Sequence, residues 1–194
     1  PVVLVNRAGA SNWGDRVVAD NARAGQLAAR ILIDSGATCL GCLVPRKKTF
    51  SVSGRAKAFF SAAASEGLPT EVLHAEDQGY EDARIGINET DRAIFGRIDG
   101  LFCSTDLMAI GALDALRIDL SIAVPEQIQV LGFDDIEQAN WGSFNLSTIR
   151  QDVDAQTYTV VRLLKERIAD NTLANRIERQ RLTVVLRGTT LHDG

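Results

Sequence analysis

The chain has 194 residues, of which 45% are hydrophobic and 24% charged, with a formal net charge of −4. That length allows one large domain or two small ones with a buried core, and no apolar run approaches the length of a membrane span. The negative charge and the lack of a basic stripe argue against a duplex-DNA-binding surface. The short basic cluster Arg46-Lys47-Lys48 is interpreted as a solvated loop.

The chain contains three cysteines, for which a disulfide, redox or metal site is to be weighed against a structural role. Cys39, Cys42 and Cys103 are odd in number and sparse, which argues against a disulfide scaffold. Cys39 and Cys42 form a C-x-x-C motif, which suggests a redox or zinc site. Because they lie in or beside a predicted strand, where residues three apart point to opposite faces, we interpret them as buried structural cysteines. We expect a reducing, cytoplasmic environment, and neither a metal ion nor a cofactor.

Short apolar runs predict the strands, because each run ends in polar or turn residues. In chain order the runs are Val2–Val5, Leu40–Val44, Glu71–His74, Leu101–Cys103, Ile128–Leu131 and Leu182–Leu186. Helical periodicity predicts helices at about 20–35, 53–66, 81–95, 104–116 and 153–169. Val17–Ala19 is interpreted as a short extended crossing, and residues 171–181 as a polar connector. The β-α alternation predicts an α/β fold with parallel strands and helices on both faces.

In open parallel sheets, ligands bind beyond the carboxyl ends of the strands. The residues at those positions suit a pocket for a small, neutral, hydroxyl-rich molecule. They are Asn6, Arg7, Thr49, Ser51, Tyr80, Thr105, Asp106, Asp134 and Asp135. No nucleophile–base pair or metal-ligand cluster stands out among them, and the two histidines, His74 and His192, are isolated. We therefore expect a binding protein without catalytic residues.

Two charged residues are the strongest candidates for ligand contact. Asp134 follows the predicted central strand, where a carboxylate in a partly dry cleft can accept two hydroxyl hydrogen bonds. The alternative role is an N-cap for the short helix after it, for which Asp135 is better placed. Arg55 lies near the start of a helix that faces the cleft, and its planar fork can bind vicinal oxygens or a carboxylate. The alternative for Arg55 is a salt bridge across the cleft mouth.

Four further candidates lie at strand ends and in loops. Asn6 and Arg7 end the first strand, so their position supports ligand contact. Thr49 and Ser51 are predicted loop contacts. All four are interpreted as ligand-binding residues.

The remaining candidates include an aromatic ring, a carboxylate with three alternative roles and an amide at a crossing. Tyr80 offers a flat apolar wall on which the face of a sugar stacks. Asp106 is a ligand contact, a helix cap or a strut. Gln151 lies at a crossing and is a candidate to couple the ligand to lobe closure. Trp13 and Trp141 are interpreted as packing or interface residues.

A series of motifs in fixed order carries a family resemblance. The motifs are Val3–Arg7, Val18–Asn21, Gly54–Phe59, Phe102–Leu113, Leu131–Asp135, Leu146–Gln151 and Leu186–Thr190. In this order and spacing the chain resembles the effector-binding core of the lactose-repressor/galactose-repressor (LacI/GalR) family of bacterial transcription regulators. The resemblance covers essentially the whole chain. The family often has Asn-Asp where this chain has Thr105-Asp106, so a ligand-binding amide is replaced by a hydroxyl there.

The resemblance implies a periplasmic-binding-protein-like fold of two α/β lobes joined by three crossings. The crossings are expected near Val18–Asn21, Thr148–Gln151 and Ile177–Gln180. Residues 1–20 and 151–178 are expected to be the remnant of a truncated first lobe, and residues 21–150 and 179–194 the second lobe.

The resemblance also implies a function. The chain is expected to sense a small molecule, a sugar or a related polyhydroxylated effector, and to control operator binding by a helix-turn-helix that this chain lacks. A homodimer is expected through Leu107–Leu116 and Ile136–Phe144, with Ile110 and Trp141 as interface residues. The alternative is a sugar-binding receptor of a transport system with the same fold. Neither a membrane nor, for this chain alone, DNA is an expected partner.

Overall fold

The computed structural model describes residues 1–7, 14–47 and 49–191. Its strands are β1 (Val3–Val5), β2 (Asp15–Ala19), β3 (Leu40–Pro45), β4 (Thr70–Ala75), β5 (Gly100–Cys103), β6 (Gln129–Asp134), β7 (Ser147–Gln151), β8 (Ile177–Gln180) and β9 (Leu182–Val185). Its α-helices are α1 (Asn21–Asp34), α2 (Phe50–Ser65), α3 (Tyr80–Glu89), α4 (Arg92–Phe95), α5 (Asp106–Asp114) and α6 (Val153–Ala169). A π-helical segment, Ala115–Asp119, extends α5.

The strands form two sheets. The larger sheet has the order β4-β3-β5-β6-β7-β9, and the smaller sheet has the order β1-β2-β8. Every neighbouring pair is parallel except β7 and β9. The predicted α/β, periplasmic-binding-protein-like class is confirmed, with one difference in strand direction. Because β7 carries the chain out of the larger sheet and β9 brings it back, the two strands run in opposite directions.

The chain passes between the sheets three times. It leaves the smaller sheet after β2 to begin α1, returns after β7 to begin α6, and passes from β8 directly into β9. These passages lie where the resemblance places its crossings. Two of the segments predicted as crossing or connector, Val17–Ala19 and residues 171–181, therefore contain strands β2 and β8 of the smaller sheet. The division into lobes at residues 20, 150 and 178 stays a prediction.

Short polar side chains cap the starts of most helices, although α3 begins after Gly79 without a side-chain cap. Thr49 Oγ1 accepts from the backbone N–H of Val52 at 3.4 Å, so α2 begins at Phe50, earlier than the predicted Ser53. The predicted helix over 81–95 is two helices, because Asp91 caps α4 through a bond of 3.0 Å from Ala93 N. Within the described ranges, no helix is both long and apolar enough to cross a membrane.

The apolar core lies on both faces of the larger sheet. Cys42 packs in the cluster beneath α1 and α2, whereas Cys39 and Cys103 pack in the cluster beneath α3 and α5. All three thiols are free and buried. Burial raises the pKa of Cys42 and Cys103, which keeps both thiols protonated and unreactive. The structure thus agrees with buried structural cysteines on opposite sheet faces.

Helices α1 and α2 approach each other closely at Gly25. A Cβ at Gly25 would lie 2.2 Å from the Arg55 carbonyl oxygen, whereas one at Gly54 would lie no closer than 3.5 Å from the Asn21 Cβ. We expect Gly25→Ala to destabilise the fold by about 1–3 kcal/mol, because backbone atoms must move apart. The matched control Gly54→Ala should stabilise by about 0.5–1 kcal/mol, since alanine is the better helix former. Urea unfolding measures both, and equal midpoints would contradict the prediction.

Candidate functional site

Three of the predicted site residues meet at the carboxyl end of the larger sheet. Asp134 ends β6, Gln151 ends β7 and Arg55 lies in α2. The Gln151 Nε2 donates to Asp134 Oδ1 at 2.6 Å. Burial raises the pKa of the Asp134 carboxyl above its ordinary value, although the charge of Arg55 and the bond from Gln151 oppose that rise. These three residues are called the Asp134 cluster below.

Arg55 is held inside the protein rather than extended into solvent. Its side chain is only 5% exposed, and its Nη1 donates to Asn21 Oδ1 at 3.1 Å. Its guanidinium carbon lies 3.9 Å from the centroid of the Phe133 ring, in cation–π geometry. Burial lowers the pKa of Arg55 to about 10, against the opposing charge of Asp134. The alternative of a salt bridge across the cleft mouth is therefore not what the structure shows.

Two buried polar atoms of the cluster lack a hydrogen-bond partner within the described part of the chain. They are the Arg55 Nε, a donor, and the Gln151 Oε1, an acceptor. A buried polar group left unpaired costs about 1–3 kcal/mol, so such groups are uncommon in folded proteins. Together with the Asp134 carboxylate, the cluster presents donors and acceptors that suit a molecule carrying several hydroxyl groups.

The backbone around Asp134 adopts an uncommon conformation. The φ angles of Asp134 and Asp135 are 129° and 60°, in the region that residues with a Cβ rarely occupy. Such conformations cost on the order of 1–3 kcal/mol each and persist where surrounding contacts hold them. Here the backbone N–H of Ile136 donates to Asp106 Oδ2 at 3.0 Å. The turn is thus anchored from α5.

Asp135 anchors the same turn from the other side. Arg150 Nε donates to its Oδ2 at 2.5 Å and Arg187 Nη2 donates to its Oδ1 at 2.7 Å. Burial alone would raise the pKa of Asp135, but these two bonds bring it below the ordinary value. The expectation that Asp135 caps a helix is wrong, because the following 3-10 turn, Glu137–Asn140, has no side-chain cap.

The Asp106 carboxylate is a structural strut that connects α5 to β7 and to the turn after β6. It is fully buried, and its Oδ1 accepts from Thr148 Oγ1 at 2.6 Å while its Oδ2 accepts from Ile136 N. A Cβ at Gly132 would lie 2.2 Å from Asp106 Oδ1, so a larger residue at that point of β6 would displace the carboxylate. The cap of α5 is Thr105, whose Oγ1 accepts from Met108 N at 3.3 Å. Of the three roles predicted for Asp106, the geometry favours the strut.

The buried state of Asp106 predicts a pH dependence of stability. Burial, with the nearby charge of Asp134, raises its pKa from 3.8 to about 6, against the bonds from Thr148 and Ile136. Between about pH 4 and pH 6 the native carboxyl therefore keeps a proton that the unfolded chain has lost, and stability falls as pH rises. Over that window we expect wild type to lose about 3 kcal/mol relative to Asp106→Asn. Urea unfolding at both pH values tests this, and parallel pH profiles would contradict it.

Asn6 and Ser51 connect the smaller sheet to α2. The Ser51 hydroxyl donates to the Asn6 carbonyl oxygen at 3.4 Å, and Asn6 Oδ1 accepts from Ala19 N at 3.1 Å. The predicted contact residue Thr49 serves as the α2 cap. Arg7 is exposed and contacts no other described residue through a hydrogen bond or ion pair.

Two predicted site residues are engaged away from the Asp134 cluster. The Tyr80 hydroxyl donates to Asp114 Oδ2 at 2.7 Å, and its ring packs against the core between α3 and α5. Thr105 is engaged as the α5 cap. Tyr80 is therefore a packing residue in this structure, because its side chain extends from the start of α3 toward Asp114 of α5.

Two residues of the site were not predicted from the sequence. Phe133 supplies the ring beneath Arg55, and Asn21 supplies the oxygen that orients the Arg55 guanidinium. Phe133 directly precedes Asp134, and Asn21 lies just after the predicted crossing Val17–Ala19. Their positions beside predicted site elements could therefore have identified both residues. Trp13 and His192 lie outside the described residues.

The structure changes the expected assembly surface. Ile110 is only 4% exposed, so the expectation that it forms an interface is wrong: α5 turns it into the core. Trp141 is 48% exposed and stacks on Phe144 with ring centroids 6.4 Å apart. Leu107 and Ile118 are also exposed.

Comparison with known proteins identifies the family of this chain. A family model described as a periplasmic binding protein-like domain matches residues 29–190. The chain belongs to this family. The resemblance to the effector-binding core of LacI-type regulators is confirmed by relatives within it.

Among curated relatives of this periplasmic binding protein-like chain are transcriptional repressors. The HTH-type transcriptional repressor PurR of Vibrio parahaemolyticus is 28% identical over 190 residues, which cover 97% of this chain and 57% of that protein. The PurR of Aliivibrio fischeri strain MJ11 is 28% identical over 200 residues, covering 99% of this chain and 58% of that protein. The chain thus spans little more than half the length of these relatives.

Solved structures share the fold. A ribose-bound LacI family regulator from Enterococcus faecalis has a TM-score of 0.85 and 22% identity, covering 98% of this chain and 68% of that one. A LacI-type regulator from Bifidobacterium animalis has a TM-score of 0.85 and 25% identity, covering 97% and 71%. The cellobiose complex of the regulator CelR has a TM-score of 0.85 and 22% identity, covering 97% and 58%.

Proposed function

We propose that this domain senses a sugar or a related polyhydroxylated effector for a LacI-type transcription regulator. The observation that carries the proposal is the Asp134 cluster, in which a buried donor of Arg55 and a buried acceptor of Gln151 are unpaired beside a carboxylate. Hydroxyl groups both donate and accept, so a polyol pairs with all three when the side chains turn toward it. The role is binding rather than catalysis.

The solved relatives support this ligand class. Structures of the same fold hold ribose in the Enterococcus faecalis regulator and cellobiose in CelR. The curated relatives of this chain are repressors, so the alternative of a transport receptor is not favoured. For a regulator of this kind we infer a cytoplasmic location and an operator bound by the helix-turn-helix of the complete protein.

The mechanism we propose is a population shift between lobe arrangements. Gln151 lies at the passage from the larger sheet to α6, and Ser51 already contacts Asn6 of the smaller sheet. A ligand held at Asp134 that also contacts the smaller sheet binds one lobe arrangement more tightly than another. That difference in affinity is what moves the equilibrium.

A thermal-shift screen with ribose, cellobiose, xylitol and adenine tests the ligand class. A ligand at one hundred times its Kd stabilises the native state by about 2.7 kcal/mol, a rise in Tm of about 5–10 °C for a chain of this size. We expect a sugar or polyol to give that rise. A rise with adenine alone would contradict the polyol assignment, and a rise of the same size in Asp134→Asn at the same ligand concentration would contradict the site.

We also propose a homodimer that uses the exposed apolar side chains Leu107, Ile118 and Trp141. Removing these side chains from water on association is favourable. Sedimentation at high protein concentration should show a dimer that Trp141→Glu weakens. A wild-type protein that stays monomeric throughout would contradict this assembly.

A further inference from the structure

A groove of about 370 Å³ lies between α2 and the edge strand β4. Its apolar lining comes from Val44 on β3, from Val52, Ala56 and Phe60 on α2, and from Val72 on β4. None of the three residues of the Asp134 cluster lines it. The groove is therefore separate from the site already described.

The groove exists because β4 is incompletely covered. This strand is the last of the larger sheet, and its residues alternate between two faces. Leu73 and Ala75 are buried on the α3 side, whereas Val72 on the opposite face is 45% exposed. Apolar surface exposed in a concave site is a common feature of ligand-binding sites.

Two cations also line the groove, beside Pro45, Ser53 and His74. Arg46 follows β3 and Lys57 lies on α2, and neither forms an ion pair with another described residue. Their neighbour Lys47 is already paired with Asp77 at 3.0 Å. On a chain with a net charge of −4, the groove thus combines apolar walls with two uncompensated positive charges. This composition complements an apolar molecule that carries one negative charge.

We propose that this groove binds a small apolar carboxylate, such as an aryl-alkanoate. Its apolar part contacts Val52, Phe60 and Val72, and its carboxylate lies between Arg46 and Lys57. The volume lies at the lower end of the roughly 300–1,000 Å³ found for small-molecule sites, which suits a ligand with a single ring. The proposal does not depend on the polyol assignment of the Asp134 cluster.

Titration with 3-phenylpropanoate, followed by NMR of the valine methyl groups, tests the proposal. We expect the resonances of Val52 and Val72 to shift in a saturable way, while those of Val153, exposed on α6, stay unchanged. The neutral analogue 3-phenylpropanamide should bind more weakly. Lys57→Gln should weaken carboxylate binding about threefold, as expected for a partly exposed charge pair, and the control Lys165→Gln on α6 should not.

A second variant blocks the groove from its β4 wall. Val72→Glu places a carboxylate in the groove at an exposed position that tolerates it, and should abolish the methyl shifts of Val52. Equal binding of the amide and the carboxylate would overturn the proposal. So would loss of binding in Arg55→Lys but not in Lys57→Gln, because the carboxylate would then occupy the Asp134 cluster. Shifts of Val72 that depend on protein concentration alone would instead show self-association through β4 and overturn it.

Discussion

Replacing Asp15 with asparagine is expected to destabilise the fold by about 3–5 kcal/mol, the largest effect of any single change considered. Asp15 is fully buried at the start of β2, and its carboxylate accepts from Arg167 Nη2 at 2.9 Å and Arg176 Nη2 at 2.9 Å. Arg167 is itself only 5% exposed. The variant leaves a buried guanidinium without its counter-charge, and that is the main source of the loss. Urea unfolding at pH 7 measures it.

The surrounding network joins the smaller sheet to the end of α6 through Asp15. Arg167 also donates to the carbonyl oxygens of Leu173 and Ala174, at 3.0 and 3.1 Å, and Arg176 also pairs with Glu166. The end of α6 and the segment before β8 are thus joined to β2 through one carboxylate. The control Asp154→Asn, exposed in the first turn of α6, should change stability by less than about 0.5 kcal/mol. Equal effects of the two variants would contradict the assignment.

The Asp15 network also predicts the behaviour in acid. Burial alone would raise the pKa of Asp15, but the hydrogen bonds from Arg176 and Arg167 hold it well below the ordinary value of 3.8. Its contribution is therefore present above about pH 4 and is lost as pH falls toward the folded-state pKa. Wild type should lose more stability than Asp15→Asn below about pH 4. The pH dependence of stability is opposite in direction to that expected from Asp106, whose raised pKa lowers stability as pH rises from about 4 to 6.

The second large effect is expected on binding. Asp134→Asn keeps the shape of the side chain but removes charge-assisted acceptance, and should weaken binding of the most stabilising sugar by about 1.5–3 kcal/mol, or one to two decades in Kd. Arg55→Lys should also weaken binding, because an ammonium cannot reproduce the planar fork. Isothermal titration measures both. Unchanged affinity with a lower Tm in Asp134→Asn would make Asp134 a structural residue.

The neighbouring carboxylate is the matched control. Asp135→Asn breaks the ion pairs with Arg150 and Arg187, so it should lower stability more than affinity. Arg55 is only 5% exposed and is enclosed by Phe133 and Asn21. Arg55→Lys should therefore also lower the Tm of the ligand-free protein.

Much of the fold could be predicted from the sequence because its signals are local. Apolar runs marked β3, β4, β5 and β6, and helical periodicity marked α6 with its observed bounds, Val153–Ala169. The position of Asp134 after a central buried strand was predictable for the same reason, since parallel strands present their carboxyl ends at one edge.

Only the tertiary structure decided which distant residues meet. Arg167 and Asp15 are 152 positions apart, and no periodicity along the chain joins them. Ile110 and Tyr80 carry patterns compatible with an interface and a ligand wall, yet packing between α3 and α5 buries one and engages the other. The sequence by itself determined most of the elements and the family, whereas strands β2 and β8, the pairing of charges and the direction of β9 required the folded chain, because they depend on contacts between segments far apart in sequence.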